Sequence, residues 1–193
     1  MIRAFQMIFS PEGTWPKIAE KNRHFVFVLL LSTLPLIVGS LAIEGYGLDR
    51  LGESFGEFGR VNKGRTVIYK YLASHLIGDL FFLFLGAYVV LSVARSFNSN
   101  STYSQAFTTV AIASSPIFLM HAPDGIPALP SEVCWGIGLA LAIRALYHGV
   151  AVNMKPEQTK GFGLFLVSMF IIGLLSGLAH FISLAILRGK ILR

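Results

Sequence analysis

The sequence is poor in charged residues and in cysteine, and it lacks a phosphate-binding loop. Charged residues make up 13% of its 193 residues, against roughly 25% in soluble domains. So few charges cannot cover the surface of a water-soluble domain of this length. Cys134 stands alone, which excludes an intramolecular disulfide framework. The motif Gly-Lys-Ser/Thr does not occur, so a nucleotide-binding loop of that kind is excluded as well.

Hydrophobic residues, by contrast, make up 54% of the chain and gather in long runs. A bilayer-spanning helix needs about 20 mostly apolar residues, and five runs meet or approach that length. They cover residues 24–43, 67–94, 106–121, 131–148 and 162–187. We therefore predict an all-α, polytopic membrane protein with five transmembrane helices in residues 24–193. Pro35 and Pro116 predict kinks in the first and third helices.

Residues 1–23 are predicted to form an interfacial segment ahead of the first span. Ser10 followed by Pro11 is typical of a helix start, with a capping hydroxyl and then proline at the first helical position. Trp15 and Ile18 lie on one side of this short helix, as expected of an amphipathic helix at the headgroup level. No secretory signal peptide is recognised, because the first apolar run has full span length and no small-residue cleavage site follows it.

The longest connection between predicted spans covers residues 44–66. Leu48, Leu51, Phe55 and Phe58 recur at spacings of three and four residues, which indicates a short amphipathic helix on the membrane surface. Six glycines in the same stretch oppose that interpretation, since each costs about 1 kcal/mol against alanine inside a helix.

The chain carries 16 Lys and Arg residues against 10 Asp and Glu residues, a net charge of +6. The basic residues are spread over the connecting segments, where anionic lipid headgroups attract them, so no nucleic-acid partner is expected. The positive-inside rule does not orient the chain, because the two sets of loops carry equal numbers of Lys and Arg.

Ionisable side chains within the spans are the strongest functional candidates, because each costs a few kcal/mol at the bilayer centre. The candidate intramembrane site comprises His75, Asp79, Arg144, His148 and His180. His75 and Asp79 are four residues apart and share one face of the second helix. The same spacing places Arg144 and His148 on one face of the fourth. A rise of about 1.5 Å per residue puts Asp79 and Arg144 at similar depths, so we expect these two to be in contact, with His75 and His180 as a second layer.

Three interpretations of these groups stay open. The favoured one is that they pair and hold the helices together, because an unpaired buried charge is very costly. The second is a proton or cation path that uses His75 and Asp79. The third is a bound lipid headgroup, or a metal held by His75, Asp79 and His180. The spacing is not specific for a metal, so neither a metal nor a cofactor is predicted.

A second group of ionisable residues follows the third predicted span. His121, Asp124 and Glu132 lie in or beside the connection to the fourth helix. One interpretation is another ligand cluster. The favoured one is a solvated turn and a helix start, where an acidic residue faces the positive end of the helix dipole.

Small residues spaced four apart indicate where helices approach closely. Gly173 and Gly177 form one such pair in the fifth helix, and Gly136 and Ala140 form another in the fourth. Packing within the five-helix bundle is favoured over a dimer interface for both pairs.

The sequence contains no convincing catalytic motif, and we do not expect an enzyme. Ser176 and His180 are four residues apart on one helix. The serine of an intramembrane serine protease pairs instead with a histidine from another helix, and no such partner is identified here.

Three stretches resemble prokaryotic Yip1-domain proteins. The first is Phe9-Ser-Pro-Glu-Gly-Thr-Trp-Pro-Lys-Ile-Ala19, which is similar to the family's segment before the membrane. The second runs from Tyr103-Ser-Gln-Ala-Phe to Ala113-Ser-Ser-Pro-Ile117, and the third from Leu146-Tyr-His-Gly-Val to Lys155-Pro-Glu-Gln-Thr-Lys-Gly161. The resemblance implies five membrane helices with a cytoplasmic N terminus. Eukaryotic relatives are linked to Rab GTPases, but their Asp-Leu-x-Gly-Pro signature is missing before the first span, so a Rab-type partner is not expected.

The sequence therefore predicts a non-enzymatic membrane scaffold or adaptor that organises lipids or partner proteins. The expected partners are membrane lipids and either a second copy of the chain or another membrane protein. The alternative is a small protein that translocates protons, cations or lipids through a polar intramembrane site. A bacterial inner membrane, with the N terminus in the cytoplasm, is the expected location.

Overall fold

The computed structural model describes residues 6, 10–21, 23–54, 60–61, 64–126, 128–157 and 159–190. It confirms the all-α class and the five spans. The helical segments long and apolar enough to cross a bilayer are Phe25–Leu51, Arg65–Ser96, Tyr103–Asp124, Ser131–Met154 and Gly161–Leu187.

Eight helices and one pair of short strands make up the described elements. Helix α1 covers Pro11–Lys21, α2 covers Phe25–Leu51, α3 covers Arg65–Ser96, α4 covers Tyr103–Ala113, α5 covers Ser115–Leu119, α6 covers His121–Asp124, α7 covers Ser131–Gly149 and α8 covers Gly161–Leu187. A π-helical turn, Val150–Met154, extends α7. Strands β1, Glu53–Ser54, and β2, Arg60–Val61, pair antiparallel between α2 and α3.

Successive spans run in opposite directions, so the bundle has two distinct ends. We call the end that carries α1 the near end, and the end that carries β1 and β2 the far end. The connection from α3 to α4 also lies at the near end. The connection from α6 to α7 lies at the far end.

The third span forms the centre of the bundle. In its span window 78% of the residues are buried, against 33% to 39% in the windows of the other four spans. The outer spans instead expose large hydrophobic side chains, among them Leu31, Ile77, Phe170 and Leu174. An apolar surface of this extent is typical of contact with lipid.

The structure shows a helical irregularity at each of the two prolines. Proline lacks a backbone N–H and clashes with the carbonyl four residues earlier. For Pro35 that carbonyl belongs to Leu31, which lies in a π-helical turn over Leu29–Thr33. For Pro116, α4 ends at Ala113 and α5 begins at Ser115, so the third span is broken where the sequence predicts a kink.

Helix α2 is longer than predicted. It continues past residue 43 to Leu51, so Leu48 and Leu51 belong to its last turns and not to a separate surface helix. Phe55 and Phe58, which were expected to continue that surface helix, lie outside the described residues. The extension places Glu44 inside the bundle, where its side chain is buried.

Helix α1 packs on the near end of α7. The Trp15 side chain is fully buried, and its indole Nε1–H donates a hydrogen bond to the carbonyl oxygen of Ala145 at 2.7 Å. The indole lies directly against Gly149, where any side chain would occupy the space of the ring. Ile18 is buried as well. The apolar side of α1 therefore faces protein.

Gly173 and Gly177, the small residues of α8, face α7. This orientation agrees with the favoured interpretation, in which the pair packs within the bundle. A Cβ on Gly177 would lie 3.2 Å from the Trp135 ring, and one on Gly173 would lie 3.9 Å from Leu139. The pair in α7 differs from the prediction. Ala140 is exposed, and a Cβ on Gly136 would meet no atom of the described residues within 4 Å.

Helix α7 approaches the backbone of the third span closely at Gly138. A Cβ there would lie 2.8 Å from the Cα of Ile117 and 3.2 Å from the carbonyl oxygen of Pro116. We expect Gly138→Ala to destabilise the protein by about 1–3 kcal/mol, because backbone atoms must shift. Gly136→Ala is the matched control and should be neutral or stabilise by up to about 1 kcal/mol. Thermal unfolding in detergent measures both, and equal losses would contradict the close contact.

Candidate functional site

A cluster of ionisable and hydroxyl side chains lies toward the far end of the bundle, and every span contributes to it. This polar cluster comprises Glu44 from α2, Tyr71, His75 and Asp79 from α3, His121 and Asp124 from α6, Ser131 from α7 and His180 from α8. All but Asp124 and Ser131 are buried. Three carboxyl groups and three imidazoles thus meet inside the bundle.

Local helix geometry positions the α3 residues. Tyr71, His75 and Asp79 recur every four residues, so they form one column on the inward face of the helix. The rings of Tyr71 and His75 lie with their centroids 4.8 Å apart. The column is long enough to contact α2 at one end and α6 at the other.

Glu44 occupies the middle of the cluster. Its Oε1 accepts a hydrogen bond from the Tyr71 hydroxyl. Its Oε2 lies 3.9 Å from Nδ1 of His75 and 3.9 Å from Nδ1 of His121. These distances exceed a hydrogen bond, so the carboxylate faces both imidazoles without being bonded to either.

His121 connects the two acidic residues of the cluster core. Its Nε2 lies 3.3 Å from Oδ2 of Asp79, without the alignment of a hydrogen bond. Its ring centroid is 4.5 Å from that of His75. Glu44 therefore faces one nitrogen of His121 and Asp79 the other.

The remaining members form the side of the cluster nearest the far end. The Ser131 hydroxyl donates to Oδ2 of Asp124 at 2.6 Å and lies 3.4 Å from Nε2 of His180. The His180 ring stacks on Trp135, with an angle of 15° between the ring planes. Its centroid is 5.6 Å from that of His75, so imidazoles from three spans form a continuous group.

Several polar atoms of the polar cluster are buried without a hydrogen-bond partner among the described residues. They are Oε2 of Glu44, both ring nitrogens of His75, Oδ2 of Asp79, Nε2 of His121 and Nδ1 of His180. Native interiors satisfy the great majority of such atoms, because leaving one unpaired costs about 1–3 kcal/mol. So many in one place indicate a site that receives a proton, water or a cation.

Comparison with known proteins agrees with this architecture. A family model described as the Yip1 domain matches residues 5–180. The chain belongs to the Yip1 domain family. The match includes all three stretches that resemble the family in sequence. No match was found among curated proteins or among solved structures.

In this Yip1-domain protein, three of the five predicted site residues lie in the polar cluster, and two lie elsewhere. His75, Asp79 and His180 come together. Arg144 is exposed on α7, and no ion pair joins it to Asp79, so the predicted contact is wrong. His148 lies toward the near end, where its Nε2 is 3.6 Å from Oε1 of Glu12.

The error has a geometric cause. Equal depths of Asp79 and Arg144 would require the second and fourth helices to begin at the same level. Helix α3 begins at Arg65, and His75, ten residues later, faces His180, which also lies beside Ser131 at the start of α7. Asp79 is one further turn along α3, so it lies about one turn beyond the level of Ser131. Arg144 is 13 residues beyond Ser131, so it lies about 20 Å from Ser131 in the direction of the near end.

Five members of the polar cluster are not among the site residues predicted from the sequence: Glu44, Tyr71, His121, Asp124 and Ser131. Glu44 was assigned to a connection, while His121 and Asp124 were interpreted as a solvated turn. One signal could have identified Glu44. Apolar residues at 37, 41 and 48 continue the helical period across position 44, so the buried face of α2 extends beyond the point where hydropathy falls.

Exposed ion pairs lie around the far end beyond the polar cluster. Arg65 binds Asp49 through two contacts of 3.1 Å and 3.3 Å, and Arg188 binds Glu132 at 2.9 Å. Between α2 and α3 lies a cleft of about 410 Å³. It is lined by Ala42, Gly45, Tyr46, Asp49, Arg65, Ile68, Tyr69 and Leu72. Gly45 follows Glu44 in the chain, and Leu72 follows Tyr71.

Proposed function

We propose that this Yip1-family membrane protein is a non-enzymatic protein that binds and translocates a small cation at the polar cluster. One observation carries the proposal: buried carboxylate and imidazole atoms from four spans lack hydrogen-bond partners among the described residues. Polar groups that serve only to join helices are expected to satisfy one another. Ionisable groups buried inside a membrane bundle are rare, and they are characteristic of ion and proton pathways.

The surroundings of the cluster support access from outside the bundle. The cleft between α2 and α3 is lined by Gly45 and Leu72, the chain neighbours of Glu44 and Tyr71. The broken third span supports the same function, because discontinuous helices line the sites of many transporters. We place the protein in a bacterial inner membrane with its N terminus in the cytoplasm.

A scaffold or adaptor role is the second candidate. It is favoured by the open surface at Gly136 and Ala140 on α7. Small residues on an outer face allow a helix of a second copy, or of another membrane protein, to approach closely. Membrane lipids would cover the remaining surface. A Rab-type GTPase is not among the proposed partners.

Flux through proteoliposomes tests translocation. Purified protein is reconstituted, and proton and metal-cation fluxes are measured with internal fluorescent indicators. We expect wild-type flux above protein-free liposomes and a fall to the protein-free level in Asp79→Asn, which removes a buried charge but keeps the side-chain shape. Glu20→Gln is the matched control, because it makes the same carboxylate-to-amide change at an exposed residue of α1, at the near end, and it should retain flux.

The scaffold role predicts a different pattern. No flux in the wild type would overturn translocation, and cross-linking between copies through cysteines placed at residues 136 and 140 would then support association. Flux that survives unchanged in Asp79→Asn would exclude the polar cluster from the path.

A further inference from the structure

We infer that Glu44, His75 and His121 form a binding site for a divalent transition-metal cation of the Zn²⁺ type. The inference rests on the proposed function and deepens it by naming the cation. Each residue offers one ligand atom, and the three atoms lie within 4.8 Å of one another. Glu44 comes from α2, His75 from α3 and His121 from α6, so the site joins three spans.

The distances fit a metal after a small adjustment. Zn²⁺ binds nitrogen and oxygen at about 2.0–2.2 Å, so two ligands of a tetrahedral site lie about 3.4 Å apart. Oε2 of Glu44 is 3.9 Å from Nδ1 of each imidazole. A bound ion would close each of these two gaps by about half an ångström, and it would bring the two imidazole nitrogens, which lie within 4.8 Å of each other, to the same spacing.

The neighbouring groups leave the required atoms free. The Tyr71 hydroxyl donates to Oε1 of Glu44, and Oε2 has no hydrogen-bond partner among the described residues. Asp79 lies beside Nε2 of His121, which leaves Nδ1 of that ring directed at Glu44. A carboxylate beside the far nitrogen of a metal-binding histidine is the usual arrangement that fixes the tautomer and ring orientation.

The donor set also selects the class of cation. Two imidazole nitrogens and one carboxylate oxygen suit Zn²⁺ and other first-row transition metals, whereas Mg²⁺ and Ca²⁺ prefer oxygen ligands alone. Three protein ligands leave a fourth position open, as in sites that exchange a bound group. An open fourth position allows the bound cation to exchange its ligands, as a cation in transit must, whereas a closed structural site retains its ion.

Metal binding can be measured directly on the full-length protein in detergent. The protein is purified without a polyhistidine tag and stripped with a chelator, and Zn²⁺ is then titrated by calorimetry and Co²⁺ by visible absorption. We expect saturable binding of one ion per chain and the visible bands of four-coordinate Co²⁺. Glu44→Gln and His121→Asn should abolish both signals. His148→Asn removes an imidazole outside the cluster and should leave them unchanged.

The wild-type protein keeps the test decisive if a cluster variant fails to fold. Zn²⁺ should raise the thermal unfolding temperature of the wild type, a chelator should reverse the rise, and Mg²⁺ should not reproduce it. The absence of saturable Zn²⁺ binding to the folded wild type overturns the inference. Equal loss of binding in His148→Asn does so too, since the ion would then be bound elsewhere.

The binding and flux experiments separate the two proposals. Zn²⁺ binding at the cluster without flux of any cation confirms the site and overturns translocation. Flux that depends on Asp79, in a protein that does not bind Zn²⁺, supports translocation of another cation and overturns the metal site.

Discussion

Trp15→Ala should destabilise the protein by about 3–5 kcal/mol, the range found when a buried aromatic side chain is removed from a core. Trp15 is fully buried between α1 and α7. Its removal leaves a cavity on Gly149 and deprives the carbonyl of Ala145 of its indole donor. Helix α1 should then detach from the near end of the bundle, and unfolding in detergent, followed by circular dichroism, measures the loss.

Two variants separate the causes of that loss. Trp15→Phe keeps most of the apolar contact but removes the indole N–H, so it isolates a hydrogen bond worth about 0.5–1.5 kcal/mol. Lys17→Ala changes an exposed position of the same helix and should alter stability by less than about 0.5 kcal/mol. If Trp15→Ala were as mild as Lys17→Ala, α1 would lie on the membrane surface, as an interfacial helix does.

Asp79→Leu and Arg144→Leu should have very different effects, although the sequence suggests a pair. Removing one partner of a buried ionic contact typically costs about 3–5 kcal/mol, and Asp79 is buried against His121. Arg144 is exposed, so its replacement should change stability by no more than about 0.5 kcal/mol. Thermal unfolding of both variants in the same detergent provides the comparison.

The double variant tests the contact itself. Residues that are far apart have additive effects within about 0.5 kcal/mol, so Asp79→Leu with Arg144→Leu should be as stable as Asp79→Leu alone. A double variant clearly more stable than that single variant would show that the two side chains do interact.

The polar cluster gives the two ends of the bundle different characters. At the near end, Trp15 packs on α7, and the buried side chains of Ser99, Ser101 and Asn153 are hydrogen-bonded. Toward the far end, Glu44, His75 and His121 bring charge-bearing groups of three spans together. A cation bound there would contact α2, α3 and α6 at once, so its arrival or release would act on how these spans pack.

Much of this protein could be predicted from the sequence because the bilayer imposes local rules. A membrane helix needs about 20 apolar residues, whatever its neighbours, so counting runs was enough for five spans and the all-α class. The break at Pro116 follows from the missing N–H of proline. His75, Asp79 and His180 were recognised as candidates because an ionisable group within an apolar run is costly wherever it lies.

The tertiary structure alone decided which of those groups meet. Hydropathy ends a span where charged residues begin, so Glu44 was assigned to a connection, and His121, at the last position of its predicted span, to a solvated turn. Both are buried because side chains of other spans surround them. Arg144 and Asp79 were separated by the axial offset between α3 and α7. That offset depends on how the helices pack against one another, and composition and local periodicity contain no measure of it.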